Sequence, residues 1–358
     1  MKPNPIICLL ALLFFSQQSV AQRTIEDPEI SKMISEIKAD NLETTVKKLV
    51  SFGTRHTLSD TKSNSRGIGA AQRWVKSEFD KYATASNGRL TANIDFFDVK
   101  ADGRRIANDS QLANVMATLK GTDPTDTRVL IVSGHIDSRV TDVMNAKSDA
   151  PGANDDGSGV AAVMELAKIM SKRSYPFTII FVALTGEEQG LYGAKHLAEK
   201  AKSENWNIVA MLNNDMIGNS LSSGTNLRDN TKFRIFSEAT PYLETADEAK
   251  IRKLTNRDND SPSRLLARYI KSVTEQYVPQ LEVNLVYRND RFLRGGDHTP
   301  FSQNGFTAVR FCEMNENFDH QHQDLRTENA VKYGDLPEFM DFDYLRKITA
   351  SNLVTLAN

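Results

Sequence analysis

The sequence predicts an α/β protein in which helices cover both faces of a mostly parallel central sheet. Three apolar runs without polar alternation occupy the middle of the chain, as is typical of strands that are buried on both faces. Helical segments at 157–170 and 191–201 separate these runs, and this alternation indicates strand–helix–strand units. The runs are VLIV at 129–132, FTIIFVAL at 177–184 and IVAML at 208–212.

Further elements are predicted on both sides of this central part. Asp27, Pro28 and Glu29 form a helix-start signal, so the first helix should run from Pro28 to residue 37. The polar segment 217–260 is predicted to be an insertion or loop. The remaining predictions are helices at 41–51, from 67 onward, at 261–278 and at 339–356, with strands at 90–99, 112–119, 281–286 and 307–312.

The chain is predicted to consist of a signal peptide at 1–21 and a single domain at 22–358. Lys2 precedes an apolar segment at 6–15, and Ser19 and Ala21 are small residues at the positions that a signal peptidase recognises. A short membrane anchor is the alternative, but this segment has about half of the ~20 residues that a spanning helix needs. We therefore expect a secreted or periplasmic protein that does not contact the membrane after cleavage.

Composition and charge exclude several classes of partner and of stabilising bond. A net charge of -2 gives no electrostatic basis for binding nucleic acid or an anionic membrane. Cys8 lies within the predicted signal peptide, which leaves Cys312 without a partner for a disulfide. Because Cys312 lies in an apolar run, it is predicted to be a buried core thiol. The fold must therefore be stabilised by packing.

Acidic residues and histidines follow the predicted strands at the points where the strands end. In an open α/β sheet, functional groups gather at the carboxyl ends of the strands. Two other motifs add an acidic residue just before a helix and an isolated histidine. The residues are His135 and Asp137 after the first run, Glu187 and Glu188 after the second, Asp215 after the third, Asp155 in GANDDGSG and His298 in GGDH.

This set of side chains suits a pair of divalent metal ions. Imidazole and carboxylate ligands favour zinc, and they tolerate manganese or cobalt. Two ions about 3.5–4 Å apart need one bridging carboxylate, and each ion then needs about two more protein ligands. Two histidines and three carboxylates satisfy this count. The adjacent glutamates can then supply one ligand and one general base.

The motifs are similar to those of the zinc aminopeptidases of peptidase family M28. SGHIDS, GANDDGSG, TGEEQG, NND and GGDH occur in the order of the family, and at roughly its spacing, across 110–330. The resemblance implies the zinc exopeptidase-like (phosphorylase/hydrolase-like) form of the α/β fold and two zinc ions per chain. It implies zinc ligation by His135, Asp155 as the bridge, Glu188, Asp215 and His298, with Glu187 as general base and Asp137 orienting the imidazole of His135.

Two details bear on this assignment. Asn154 stands where the family often has aspartate before the bridging acid, but the bridging position itself is unaffected. The related M20 peptidases have a similar ligand order, with a lid domain inserted before the last histidine. Between Asp215 and His298, however, predicted core elements use most of the chain. Family M28 is therefore favoured.

Other polar residues near these motifs have two interpretations each. His320, in the HQHQ segment with His322, either lines the substrate pocket or is a polar surface residue. The basic residues before His298 either reach a substrate carboxylate or form a solvated loop, and the solvated loop is favoured. These are Arg288, Arg291 and Arg294.

The resemblance implies an exopeptidase that removes residues from peptides with a free N-terminus. A glutaminyl cyclase, which has the same fold and uses one zinc, is an alternative, as are a metallo-carboxypeptidase and a binding relative that lacks catalysis. The complete ligand set favours the aminopeptidase. The sequence determines neither the preferred N-terminal residue nor the oligomeric state.

Overall fold

A computed structural model describes residues 26–292 and 294–358 of the chain. The predicted signal peptide lies outside these residues. Within them, an eight-stranded sheet has the order β1-β2-β4-β3-β5-β8-β6-β7. Its strands are β1 (Leu90–Val99), β2 (Ser110–Leu119), β3 (Arg128–His135), β4 (Thr178–Leu184), β5 (Asn207–Asn214), β6 (Lys232–Phe236), β7 (Glu282–Val286) and β8 (Ala308–Glu313).

The four central strands β4, β3, β5 and β8 are parallel to one another. The outer pairs β1–β2, β2–β4 and β6–β8 are antiparallel, whereas β6 and β7 are parallel. The carboxyl ends of the central strands therefore meet at one edge, which is where the sequence places the candidate ligands. This arrangement confirms the predicted mostly parallel sheet.

Helices cover both faces of the sheet, as predicted. Leu130 and Val132 of β3 face one hydrophobic core, and Ile131 between them faces the other, because successive side chains of a strand point to opposite faces. Helices α1 to α4, α8 and α10 pack on the first face, and α6 and α9 pack on the second. The helices are α1 (Pro28–Glu36), α2 (Ala39–Val50), α3 (Ile68–Thr84), α4 (Gly157–Met170), α5 (Glu187–Gly190), α6 (Tyr192–Ser203), α7 (Ala246–Leu254), α8 (Pro262–Tyr277), α9 (His298–Gln303) and α10 (Phe342–Ala357).

The segment 217–260 was expected to be an insertion or loop, and this expectation is wrong in part. It contains β6, which lies between β8 and β7 in the sheet and buries Phe233 and Ile235. The ring of Phe233 stacks on that of Phe311 at a centroid distance of 5.6 Å. The same segment also contains α7, a surface helix without buried residues. A strand of only five residues between polar stretches gives too short an apolar signal to stand out.

Three smaller features complete the fold. Strands β9 (Arg326–Glu328) and β10 (Val331–Tyr333) form a hairpin that the sequence analysis did not predict. Cys312 is buried, as predicted, and within the described residues it forms no disulfide. Among the described residues, no helix is both long enough and apolar enough to cross a bilayer.

Candidate metal centre

The first group of possible metal ligands forms at the end of β3. The Nε2 atom of His135 lies 3.1 Å from Oδ1 of Asp155 and 3.9 Å from Oδ1 of Asp215. All three side chains are buried. They reach the same place because β3 and β5 are adjacent parallel strands, and Asp155 lies in the loop that leads into α4.

A second group shares Asp155 with the first. Nε2 of His322 lies 2.9 Å from Oδ2 of Asp155 and 2.9 Å from Oε1 of Glu188. In each group, one potential ligand atom per residue lies within 4.8 Å of the others. The two oxygens of Asp155 therefore face different histidines, which is the arrangement expected of a carboxylate that bridges two metal ions.

The charges of these residues shift one another's pKa values in opposite directions. Burial alone would lower the pKa of His135, but the neighbouring carboxylates of Asp155 and Asp215 raise it well above its ordinary value. Burial alone would raise the pKa of Asp155, but the positive charges of His322 and His135 hold it well below its ordinary value. Asp155 is therefore held as a carboxylate, the form that binds a divalent cation.

Buried polar contacts hold the loop that carries Asp155. The backbone N–H groups of Asn154 and Asp155 donate to the carboxylate of Asp335 at 2.9 and 2.7 Å. The buried guanidinium of Arg55 donates to the carbonyl oxygens of Pro151 and Gly152. These contacts fix the loop on both sides, so the position of the Asp155 carboxylate is set by the backbone behind it.

The departure from the family pattern at Asn154 has a structural reason. The side-chain amide of Asn154 donates to both carboxylate oxygens of buried Glu313, at 3.1 and 2.9 Å, and accepts from the N–H of Gly218 at 2.8 Å. An aspartate at 154 would bring a second buried carboxylate against Glu313 without a counter-charge, which is unfavourable. Asparagine is the residue that can donate to Glu313 here.

Asp137 holds the turn that carries the paired glutamates. Its carboxylate accepts the backbone N–H groups of Gly186, Glu187 and Glu188 at 2.9, 3.3 and 3.1 Å, and the hydroxyl of Thr57 at 2.8 Å. Gly186 has a φ of +85°, a left-handed conformation that favours glycine and turns the chain from β4 into α5.

The contact of Asp137 with His135 differs from the sequence expectation. The Nδ1 atom of His135 lies 3.0 Å from the backbone carbonyl of Asp137 but 3.8 Å from its carboxylate. The main chain of Asp137 thus orients the imidazole, because the carboxylate is already occupied by the glutamate turn.

Glu187 differs from Glu188 in its surroundings. Glu188 is buried and belongs to the second group, whereas Glu187 is partly exposed and belongs to neither group. Burial of its carboxyl group raises the pKa of Glu187, and the neighbouring Asp215 and Glu188 raise it further against the opposing charge of His135. A raised pKa near metal ligands is typical of a proton-transferring carboxyl group.

The structure does not bring His298 to the metal centre, contrary to the sequence expectation. Its Nε2 lies 2.7 Å from the backbone carbonyl oxygen of Asn289, and within the described residues His298 is in neither group. His322 instead lies in the second group, with Asp155 and Glu188. It follows β8, the neighbour of β5, so the loop after β8 lies beside Asp155 and Glu188. The sequence offered a signal in the HQHQ segment, but strand order was needed to interpret it.

The other residues with two interpretations have the following surroundings. His320 stacks on Phe339 at 3.8 Å and lines a cavity of about 10 Å³ beside Asp155, which is room for roughly one water molecule. Arg288 and Arg294 are exposed, in agreement with a solvated loop. Arg291 instead pairs with Asp290 and Glu316.

Comparisons with known proteins agree with the fold and with the motifs. A profile described as peptidase family M28 matches residues 114–341. The chain is 48% identical over 334 residues to a probable zinc metalloprotease of the fungus Leptosphaeria maculans, covering 93% of this chain and 77% of the relative.

Solved structures are similar at much lower sequence identity, and they support the fold alone. The LapA aminopeptidase of Legionella pneumophila has a TM-score of 0.64 at 18% identity, covering 99% of this chain and 77% of that chain. A glutaminyl cyclase of Macrostomum lignano has a TM-score of 0.64 at 16% identity, covering 93% of this chain and 92% of that chain.

Together, the fold and the family match define a zinc-dependent peptidase. This chain belongs to peptidase family M28. Its buried carboxylates and imidazoles are a donor set that fits zinc.

The two histidines can be separated by their effect on metal content. We expect His322→Ala to bind fewer zinc ions per chain than the wild type, because the imidazole between Asp155 and Glu188 is lost. His298→Ala is the matched control, and it should keep the wild-type zinc content. Elemental analysis of both purified variants measures this directly. If His298→Ala lost zinc and His322→Ala did not, His298 rather than His322 would belong to the metal centre.

Proposed function

We propose that this zinc peptidase is a secreted aminopeptidase with two zinc ions per chain and Glu187 as its general base. The observation that carries the proposal is the position of Asp155. Its two carboxylate oxygens lie against two different histidines, His135 and His322. Each histidine also lies near a carboxylate that belongs to its own group only, Asp215 for His135 and Glu188 for His322. We call these two unshared carboxylates the terminal carboxylates. A single-metal site needs no shared carboxylate between two such groups.

The residues that would hold the ions divide evenly between two subsites. The first consists of His135 and Asp215, the second of His322 and Glu188, and Asp155 is common to both. Zinc held by these residues would lower the pKa of a bound water toward neutrality and would polarise the scissile carbonyl.

Glu187 is the remaining carboxylate of the pair, and its role is to move a proton. It accepts a proton from the attacking water and delivers it to the leaving amine. Asp137 positions Glu187 and Glu188 together, because its carboxylate binds the backbone of both residues. One carboxylate thus sets the relative placement of the proposed ligand and of the proposed base.

An N-terminal substrate is proposed from the motifs that this chain shares with the zinc aminopeptidases of family M28 and from the proposed pair of metal ions. An ion held by His322 and Glu188 would supply a site for the free α-amine of a peptide, and an ion held by His135 and Asp215 would supply activation of the water. The glutaminyl cyclase of the same fold is the main alternative. A carboxypeptidase is a second alternative.

A panel of aminoacyl-p-nitroanilides tests this assignment and also gives the preferred N-terminal residue. We expect hydrolysis of the free substrates and at least a tenfold lower kcat/KM for their N-acetylated forms, because acetylation removes the free amine. A peptide with N-terminal glutamine distinguishes an aminopeptidase from a glutaminyl cyclase. Loss of ammonia without shortening of that peptide would identify a cyclase, and release of C-terminal residues would identify a carboxypeptidase.

Replacement of Glu187 should lower kcat, whereas replacement of Glu188 should lower the zinc content. Glu187→Ala should keep both zinc ions while its kcat falls by about 10²–10⁴, the usual contribution of a general base. Glu188→Ala should lose zinc, because a ligand is removed. Elemental analysis beside steady-state kinetics distinguishes these outcomes. Zinc loss in Glu187→Ala together with full zinc in Glu188→Ala would reverse the two roles.

The proposal that the protein is exported rests on its N-terminal sequence and not on the folded domain. The mature enzyme begins at or within two residues of Gln22, since Ser19 and Ala21 provide the signal-peptidase recognition positions. N-terminal sequencing of protein from the medium or periplasm should find this start. Recovery of the active enzyme from the cytosol with Met1 in place would contradict export.

A further inference from the structure

Two arginines contact the terminal carboxylates of the metal centre. Arg310, on β8, has its Nη2 atom 3.1 Å from Oδ2 of Asp215. Arg139, in the loop after β3, has its Nε atom 3.0 Å from Oε2 of Glu188. Each subsite thus has one arginine of its own, and neither arginine has a role in the mechanism above.

The second oxygen of each carboxylate faces the other way. Oδ1 of Asp215 is directed to His135, at 3.9 Å from Nε2, and Oε1 of Glu188 is directed to His322, at 2.9 Å from Nε2. In both subsites, therefore, one oxygen of the terminal carboxylate faces a histidine and the other faces an arginine.

Arg310 is fixed in place by a second carboxylate. Its side chain is only 1% exposed, and its Nη1 donates to Oδ2 of Asp290 at 2.5 Å and to the carbonyl of Gly295 at 3.2 Å. Burial would raise the pKa of Asp290, but the charge of Arg310 and its other neighbours lower that pKa to about 2. A planar guanidinium can span two carboxylates in this way, which a lysine ammonium cannot do with the same geometry.

Arg139 is held differently, by the subsite itself. Its Nη2 lies 2.7 Å from Nδ1 of His322, and its side chain is 17% exposed. It therefore contacts both Glu188 and His322, whereas Arg310 contacts Asp215 and lies against residues outside the centre.

We propose that Arg310 and Arg139 are positioning residues that restrict Asp215 and Glu188 to one metal-facing oxygen each. This inference rests on the proposed two-zinc function. Zinc in proteins is usually four-coordinate, so it suits ligands that offer one oxygen. A carboxylate that is free to offer both oxygens increases the coordination number, which suits larger ions that prefer oxygen, such as Mn²⁺. The two arginines thus favour zinc over such ions, each at its own subsite.

The test uses Arg310→Met and Arg139→Met in the full-length mature chain, each alone and combined with His322→Ala. The histidine change leaves only the subsite of His135 and Asp215. In that background, Arg310→Met should weaken zinc binding by about 10–100-fold, the usual effect of losing a residue that orients a ligand. It should also raise the share of manganese bound from a buffered mixture of zinc and manganese.

Arg139→Met is the matched control in the same background, because its own subsite has already been disabled. It should leave the affinity and the zinc preference of the remaining ion unchanged. In the chain that keeps His322, Arg139→Met should weaken the binding of one of the two zinc ions. Arg310→Lys is included because it retains the buried positive charge and should therefore fold. It should shift the metal preference in the same direction as Arg310→Met.

Competition with a zinc-selective chelator and elemental analysis supply the readouts, so that activity is not needed. Two zinc ions in the wild type with unchanged affinity and preference in all arginine variants would overturn this inference alone. Fewer than two zinc ions in the wild type would overturn the two-zinc function instead.

Discussion

Burial of several carboxylates at one edge of the sheet is the constraint on which the rest of the centre depends. Asp155 is buried in one group with Asp215 and in a second group with Glu188, and buried charges are costly unless they are paired. Positively charged or proton-donating side chains next to these carboxylates offset the free-energy cost of burying them. These partners are His135, His322, Arg139 and Arg310. A divalent cation would complete the compensation, so the same features that allow these acids to be buried also suit them to be ligands.

A second set of buried acids has a different task, which is to bind backbone N–H groups. Asp335 holds the loop of Asp155, Asp137 holds the turn of the paired glutamates, and Asp156 caps α4 and accepts the N–H of His135. These contacts place the ligand-bearing loops without using the ligands themselves. The charged positions of the motifs are thus divided between residues of the candidate metal centre and residues that bind the backbone. Adjacent residues, such as Asp155 and Asp156, can belong to different sets.

The order of the strands determines which loops meet at the centre. Because β8 lies beside β5, it brings two contributions to the site: Arg310 from within the strand and His322 from the loop that follows it. Strand β6 then separates β8 from β7 in the sheet. His298, at the start of α9, is directed to a backbone carbonyl rather than to the centre. The candidate metal centre therefore includes a histidine from late in the chain, and the position of this histidine depends on the order of the strands in the sheet.

The sequence by itself determined the fold class, the buried central strands and the residues His135, Asp155, Glu188 and Asp215 of the centre. These features are local, because an apolar run and the residue that follows it are adjacent in the chain. The choice of His322 over His298, the strand β6 and the contacts of Arg139 and Arg310 were decided only by the tertiary structure. A histidine or arginine has the same local signal whether it faces solvent or a ligand. Which of them reaches the centre depends on strand order and on charges brought together from distant parts of the chain.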